Sequence, residues 1–132
     1  MKSIPETLSS VKGIRPVGII AEVGDISRFS HHNSLAKYAG LVWSQYQLGE
    51  FECEETKRLR TGNKYLRYYL VQAANLIRRY DSDYAAFYAQ KYAQALKHQH
   101  KRALVLTARK LVRLVFMLLK TKQLYTSPER RG

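Results

Sequence analysis

The sequence predicts a mainly α-helical protein: a helix-hairpin-helix-like N-terminal part, a short loop or hairpin, then a basic helical bundle. Two observations carry this reading. Apolar residues recur at helical spacing on both sides of a central stretch that lacks it, and Gly, Asp and Asn stand at the ends of the periodic runs. A third, the crowding of Lys and Arg into the second half, gives the bundle its basic character.

Ile4, Leu8 and Val11 share one helical face, and Gly13 breaks the run. Pro16 suits the first turn of a second helix, where its missing N–H costs nothing. Val17, Ile20 and Ala21 are then expected to face inward, and Gly24 to end the helix. The glycine turn has two readings. Its backbone N–H groups and the following helix N-terminus hold a phosphate, with Arg15 supplying charge where a second glycine is usual, or the turn simply closes an αα-hairpin. Asp25 is expected to cap the next turn, Ser30 or Asn33 a short helix through Tyr38, and Gly40 to close it.

Residues 41–58, LVWSQYQLGEFECEETKR, have no helical period and read as a loop or small hairpin. From Asn63 helix resumes. Leu66, Leu70, Ala73, Ala74 and Ile77 form an apolar stripe, and Lys64, Arg67 and Arg78 return to nearly one angle on another face. Asp81 or Ser82 caps a following helix. The last helix, about 97–122, is expected to bury Leu104, Ala108, Leu111, Val112, Val115 and Leu119, while Arg102, Arg109, Arg113 and Lys120 form a basic stripe. The expected organisation is one domain over 1–132, with a hairpin-helix part at 11–40, a loop at 41–62 and a helical part at 63–122.

At 45% apolar residues a packed core is expected rather than disorder. The charge is lopsided. Residues 1–56 hold 5 basic and 7 acidic side chains, whereas residues 57–132 hold 18 and 3. Such a field points to nucleic acid or an anionic membrane surface. The longest apolar stretch, Leu111 to Leu119, contains Arg113 and is far short of a span, and the N-terminus has no secretory signal. A soluble, cytoplasmic chain without membrane is expected. One cysteine, Cys53, excludes an internal disulfide and a cysteine-only zinc site.

Aligned cations are what a surface that tracks a phosphate backbone needs. The candidate phosphate-contacting residues are therefore Lys12, Arg15, Arg58, Arg60, Lys64, Arg67, Arg109 and Arg113. Tyr65, Tyr68, Tyr69 and Tyr80 either stack on bases or pack in the core. The pairs His31-His32 and His98/His100 lack neighbouring ligands at metal spacing, so no metal site is expected. Glu52, Glu54 and Glu55 read as a solvated edge, and Glu22 and Asp25 as helix-end residues rather than an acid–base pair.

The segments AEVGDISRF, LAKYAGL, GE and RTGNKYLRYYLVQAAN, in this order, resemble the C-terminal transposase domain of the insertion-sequence 110/116/902-type transposases. The resemblance runs from about Val11 to Ile77 and more loosely through the last helix. It implies DNA as partner, multimeric assembly, a guide RNA in some members, and a serine nucleophile in the loop at 41–62. It also implies a separate ribonuclease-H-like domain whose four acidic residues bind divalent metal. Two departures follow. Met1 lies only a dozen residues before the glycine turn, so a fragment or truncated product is expected, with no cofactor of its own. The family's serine position holds Leu48, which cannot attack phosphorus, and Ser44 four residues earlier is a weak substitute. The expectation is a DNA-binding domain not catalytic by itself. The alternative is a basic helical protein-interaction or RNA-binding module without transposase activity.

Overall fold

A computed structural model describes residues 4–41 and 62–128. Among them the chain forms six α-helices, one 3₁₀ turn and no strand: α1 Ile4–Ser9, α2 Pro16–Val23, the 3₁₀ turn Ile26–Arg28, α3 His32–Tyr38, α4 Lys64–Tyr80, α5 Ser82–Gln94 and α6 Gln99–Thr121. The class is mainly α, as the periodicity predicts.

The hub is α6. α1, α3, α4 and α5 pack against it, α4 also packs on α5, and α2 joins through α1 and α4. One apolar cluster runs through these elements, from Leu8, Ile19 and Leu35 to Leu66, Leu70, Leu111 and Val115. All five residues of the α4 stripe are buried. Each such Leu or Ile contributes about 1.5–3 kcal/mol when removed from water, so the bundle is held chiefly by this seam.

Local chemistry sets the helix ends. Asn63 caps α4, its Oδ1 accepting from the backbone N–H groups of Tyr65 and Leu66 at 2.9 Å each. Asp81 caps α5 through one carboxylate oxygen, which accepts from Asp83 and Tyr84. Its other oxygen accepts from the Tyr125 hydroxyl. Tyr125 also donates its N–H to Ser10 Oγ at 2.9 Å, so the segment after α6 straps the α4–α5 corner to the end of α1. Asp25 caps the 3₁₀ turn by accepting from Ser27 N, which holds its carboxyl below the usual range.

Three expectations are corrected. The inward face of α2 is Ile19 and Val23, with Ile20 half-buried, whereas Val17 is 80% exposed and Ala21 is exposed. The cause is Gly18: a Cβ there would lie 2.6 Å from the Tyr69 ring, so α2 approaches α4 along its glycine side and Val17 is turned outward. Neither Ser30 nor Asn33 caps α3. His31 does, its Nδ1 accepting from Asn33 N at 3.1 Å. The last helix begins at Gln99, two residues later than expected, and Leu104 lies at the edge of the core instead of inside it.

Candidate nucleic-acid interface

Two polar assemblies stand out on this scaffold. The first gathers at Asn63. While Oδ1 caps α4, Nδ2 donates to Glu22 Oε1 at 3.0 Å and to the Tyr38 hydroxyl at 3.1 Å. The Asn63 N–H donates to the Tyr38 carbonyl. Beside it, Gly62 (φ +81°) lies so close to Tyr38 and Gly40 that an added Cβ would be 2.7 Å from their backbone atoms. The Arg28 guanidinium lies 5.2 Å from the Tyr38 ring and donates to the Val23 carbonyl at 2.9 Å. Bonds from Asn63 and then Arg28 hold the Tyr38 hydroxyl below its ordinary pKa. The junction thus ties together residues from AEVGDISRF, LAKYAGL and RTGNKYLRYY. It also sets the two chain positions that bracket residues 42–61 against each other. Leu48, Ser44, Arg58 and Arg60 lie outside the described residues, as does the expected loop or hairpin.

The second assembly is a groove of about 650 Å³ between α3, α5 and α6. Arg109, Lys110 and Arg113 of α6 face Lys91 of α5 across an apolar floor, with His32 of α3 beside them. Arg109 donates to Asn33 Oδ1, which fixes the guanidinium against α3, and partial burial lowers its pKa without discharging it. Lys110 lies 5.4 Å from the Tyr84 ring and 5.2 Å from that of Phe87, and Lys91 5.2 Å from Phe87, all within cation–π reach. Among the described residues no carboxylate lines the groove. Burial first, then His31, Arg109 and Arg113, holds the His32 pKa below its ordinary value.

Among the described residues, the other sequence-derived candidates do not converge on this groove. Lys12 lies over the Tyr80 ring at 4.6 Å, by a small cavity that Asp81 and Tyr125 also line. Arg15 borders a different recess with Tyr69, Gln72 and Leu76. Between them Gly13 (φ +108°) presses on α4, where a Cβ would meet Leu76 and Ile77 atoms at 3.1 Å. The Ile14 N–H in this turn is already donated to the Val11 carbonyl. Packing on α4 therefore accounts for the glycine. Lys64 is exposed, its Nζ 5.3 Å from the Tyr65 ring, while Arg67 is half-buried with its pKa lowered by that burial. Among the tyrosines, Tyr65, Tyr68 and Tyr80 are exposed, and Tyr69 packs against the core. Arg78 donates to Asn75 and lies 4.3 Å from the Tyr88 ring.

Sequence reasoning missed the contributions of Lys91, Lys110 and His32, as well as the roles of Glu22 and Tyr38 around Asn63. Lys110 adjoins Arg109, so the stripe hinted at it. The rest depend on which helices become neighbours.

Residues 5–89 match the profile of the Transposase IS116/IS110/IS902 family, which is well over half of the chain. The chain belongs to this family. No curated protein and no solved structure matches it. The matched region contains the whole Asn63 junction and ends within α5, so α6 and most of the basic groove lie beyond it. Among the described residues no helix is long and apolar enough to cross a membrane. Among those residues, too, no three His, Cys, Asp or Glu side chains gather as metal ligands, so they do not suit the divalent metal that the resemblance assigns to the acidic domain.

Proposed function

We propose that the chain is a DNA-contacting helical domain acting in insertion-sequence transposition, and that it does not cleave DNA by itself. The observation that carries the DNA contact is the groove, where four cations and a histidine from three helices meet with no carboxylate among the described residues that line it. Phosphate oxygens would replace water on Arg109, Lys110 and Arg113, and released counterions would supply much of the affinity. Lys12, Arg15, Lys64 and Arg67 extend the positive field along the α1–α2 turn and α4, and Arg58 and Arg60 are further contacts by the same reading of charge. Catalysis by this chain lacks its nucleophile, because leucine at position 48 carries no group able to attack phosphorus.

The test is a duplex-DNA binding titration across salt. Phosphates on the four groove cations alone predict a log–log slope of about −3.6, steeper with the further contacts along α4 and flattened when Arg113 and Lys110 are changed to Gln. Absence of binding at low ionic strength refutes the DNA reading. Separately, Leu48→Ser supplied with a ribonuclease-H-like domain of the family is expected to form a covalent protein–DNA adduct that the natural sequence does not. Equal adduct with Leu48 overturns the assignment of that position.

A further inference from the structure

The α3–α5–α6 groove has a feature that phosphate contact alone does not require. Its rim is cationic, but its floor is apolar, built from Phe87, Leu106, Leu114 and Met117. A duplex presents phosphates and hydrophilic groove edges, so a duplex laid across the rim leaves this floor wetted and unused. An unpaired strand is different. Its phosphates and its bases can point opposite ways, the first toward cations and the second toward apolar surface.

The Arg109 side of the groove adds a second demand. There the guanidinium is held in place by Asn33, beside the apolar lining. An oriented donor next to an apolar floor suits a guest with both an apolar face and a hydrogen-bonding edge. A nucleobase has both. The groove volume of about 650 Å³ is in the range of small-molecule sites.

We infer that this groove holds an unpaired nucleotide of a single strand, its base over Phe87, Leu106 and Met117 and its flanking phosphates on Arg109, Lys110 and Arg113. The inference rests on the nucleic-acid reading above and adds strandedness to it. An acidic amphipathic helix would also match the floor and the charges, whereas the nucleic-acid reading above favours the strand. That helix is the competing outcome.

The experiment uses the full chain and fluorescence anisotropy with a short labelled oligothymidylate and a duplex of equal length. Met117 is 51% exposed, so Met117→Glu places a charge on the floor without burying it in the core. Gln90→Glu, exposed on α5 and not among the residues that line the groove, changes net charge equally. Met117→Glu is expected to weaken the single strand about tenfold more than Gln90→Glu does, the scale of losing one stacked base. The duplex, held by the same cations, should also lose some affinity in Met117→Glu, so strand selectivity is read from the uncharged variant Phe87→Ala, which should leave the duplex unchanged. Phe87→Ala should repeat the single-strand loss and guards against misfolding of the first variant, with circular dichroism checking both. If the duplex binds with its salt dependence but Met117→Glu and Gln90→Glu act equally on the single strand, the groove assignment falls and the DNA reading stands. If neither nucleic acid binds, both fall. Capture of an acidic helical peptide that is lost in Met117→Glu, with no such loss for the strand, gives the groove to a protein and overturns the inference.

Discussion

Asn63→Ala removes two different kinds of bond at one stroke. The first is the cap on α4, in which Oδ1 accepts from Tyr65 and Leu66. Losing a cap of this type costs about 1 kcal/mol. The second is the bridge from Nδ2 to Glu22 and Tyr38, which ties α4 to α2 and α3. A bond to a carboxylate is worth about 1.5–3 kcal/mol, and partial exposure puts this one at the lower end. The combined loss is about 2–3 kcal/mol. For a chain of this length that corresponds to a fall in Tm of roughly 6–12 °C. Urea and thermal unfolding followed by circular dichroism measure it. Asn63→Ser separates the parts, because serine keeps the cap but its shorter side chain does not reach Glu22, so about half of the loss should return. The Tyr38 hydroxyl gives a second readout. The Asn63 bond is the largest cause of its lowered pKa, so its titration should move upward in Asn63→Ala. A variant within about 0.5 kcal/mol of the natural protein would refute the junction as a structural tie, and so would a serine variant as damaged as the alanine one.

Gly18→Ala is expected to destabilise by about 1–3 kcal/mol through overpacking against Tyr69, and combining it with Tyr69→Leu should recover part of that, as read from urea midpoints. Tyr125→Phe removes the donor to Asp81, so it should cost about 1–3 kcal/mol and raise proteolytic cleavage after α6. Stability should also fall as pH drops below about 6.5, because His32 binds its proton more weakly in the folded protein than in the unfolded chain. The contribution is fully present above that unfolded value and is lost on acidification, and His32→Gln should flatten the slope between pH 7 and 5.

Much of the fold was legible because local signals agreed. On α4 a start at Asn63 and an apolar stripe pointed one way, and each is found in place. The same holds for Gly24 closing α2, and of the two candidates for opening α5 the cap is Asp81. What failed depended on neighbours. Val17 looked like a core residue because periodicity cannot show that Gly18 marks the side pressed against Tyr69. His31 caps α3 although Ser30 and Asn33 are commoner caps, since the observed chain path offers its ring nitrogen to Asn33 N. The α6 stripe predicted Arg109 and Arg113, yet a stripe has no floor and no opposite wall. Lys91, Phe87 and His32 come from separate helices, and only packing makes a groove of them. Glu22 and Asn63 are 41 positions apart, too far for any local rule to join.

The contact of Gly62 with Gly40 brings the two ends that bracket residues 42–61 side by side. For any flexible connection between ends held this way, each doubling of length adds only about 0.6 kcal/mol of closure entropy. The helices on either side therefore set no steep entropic limit on how many residues stand between Leu41 and Gly62.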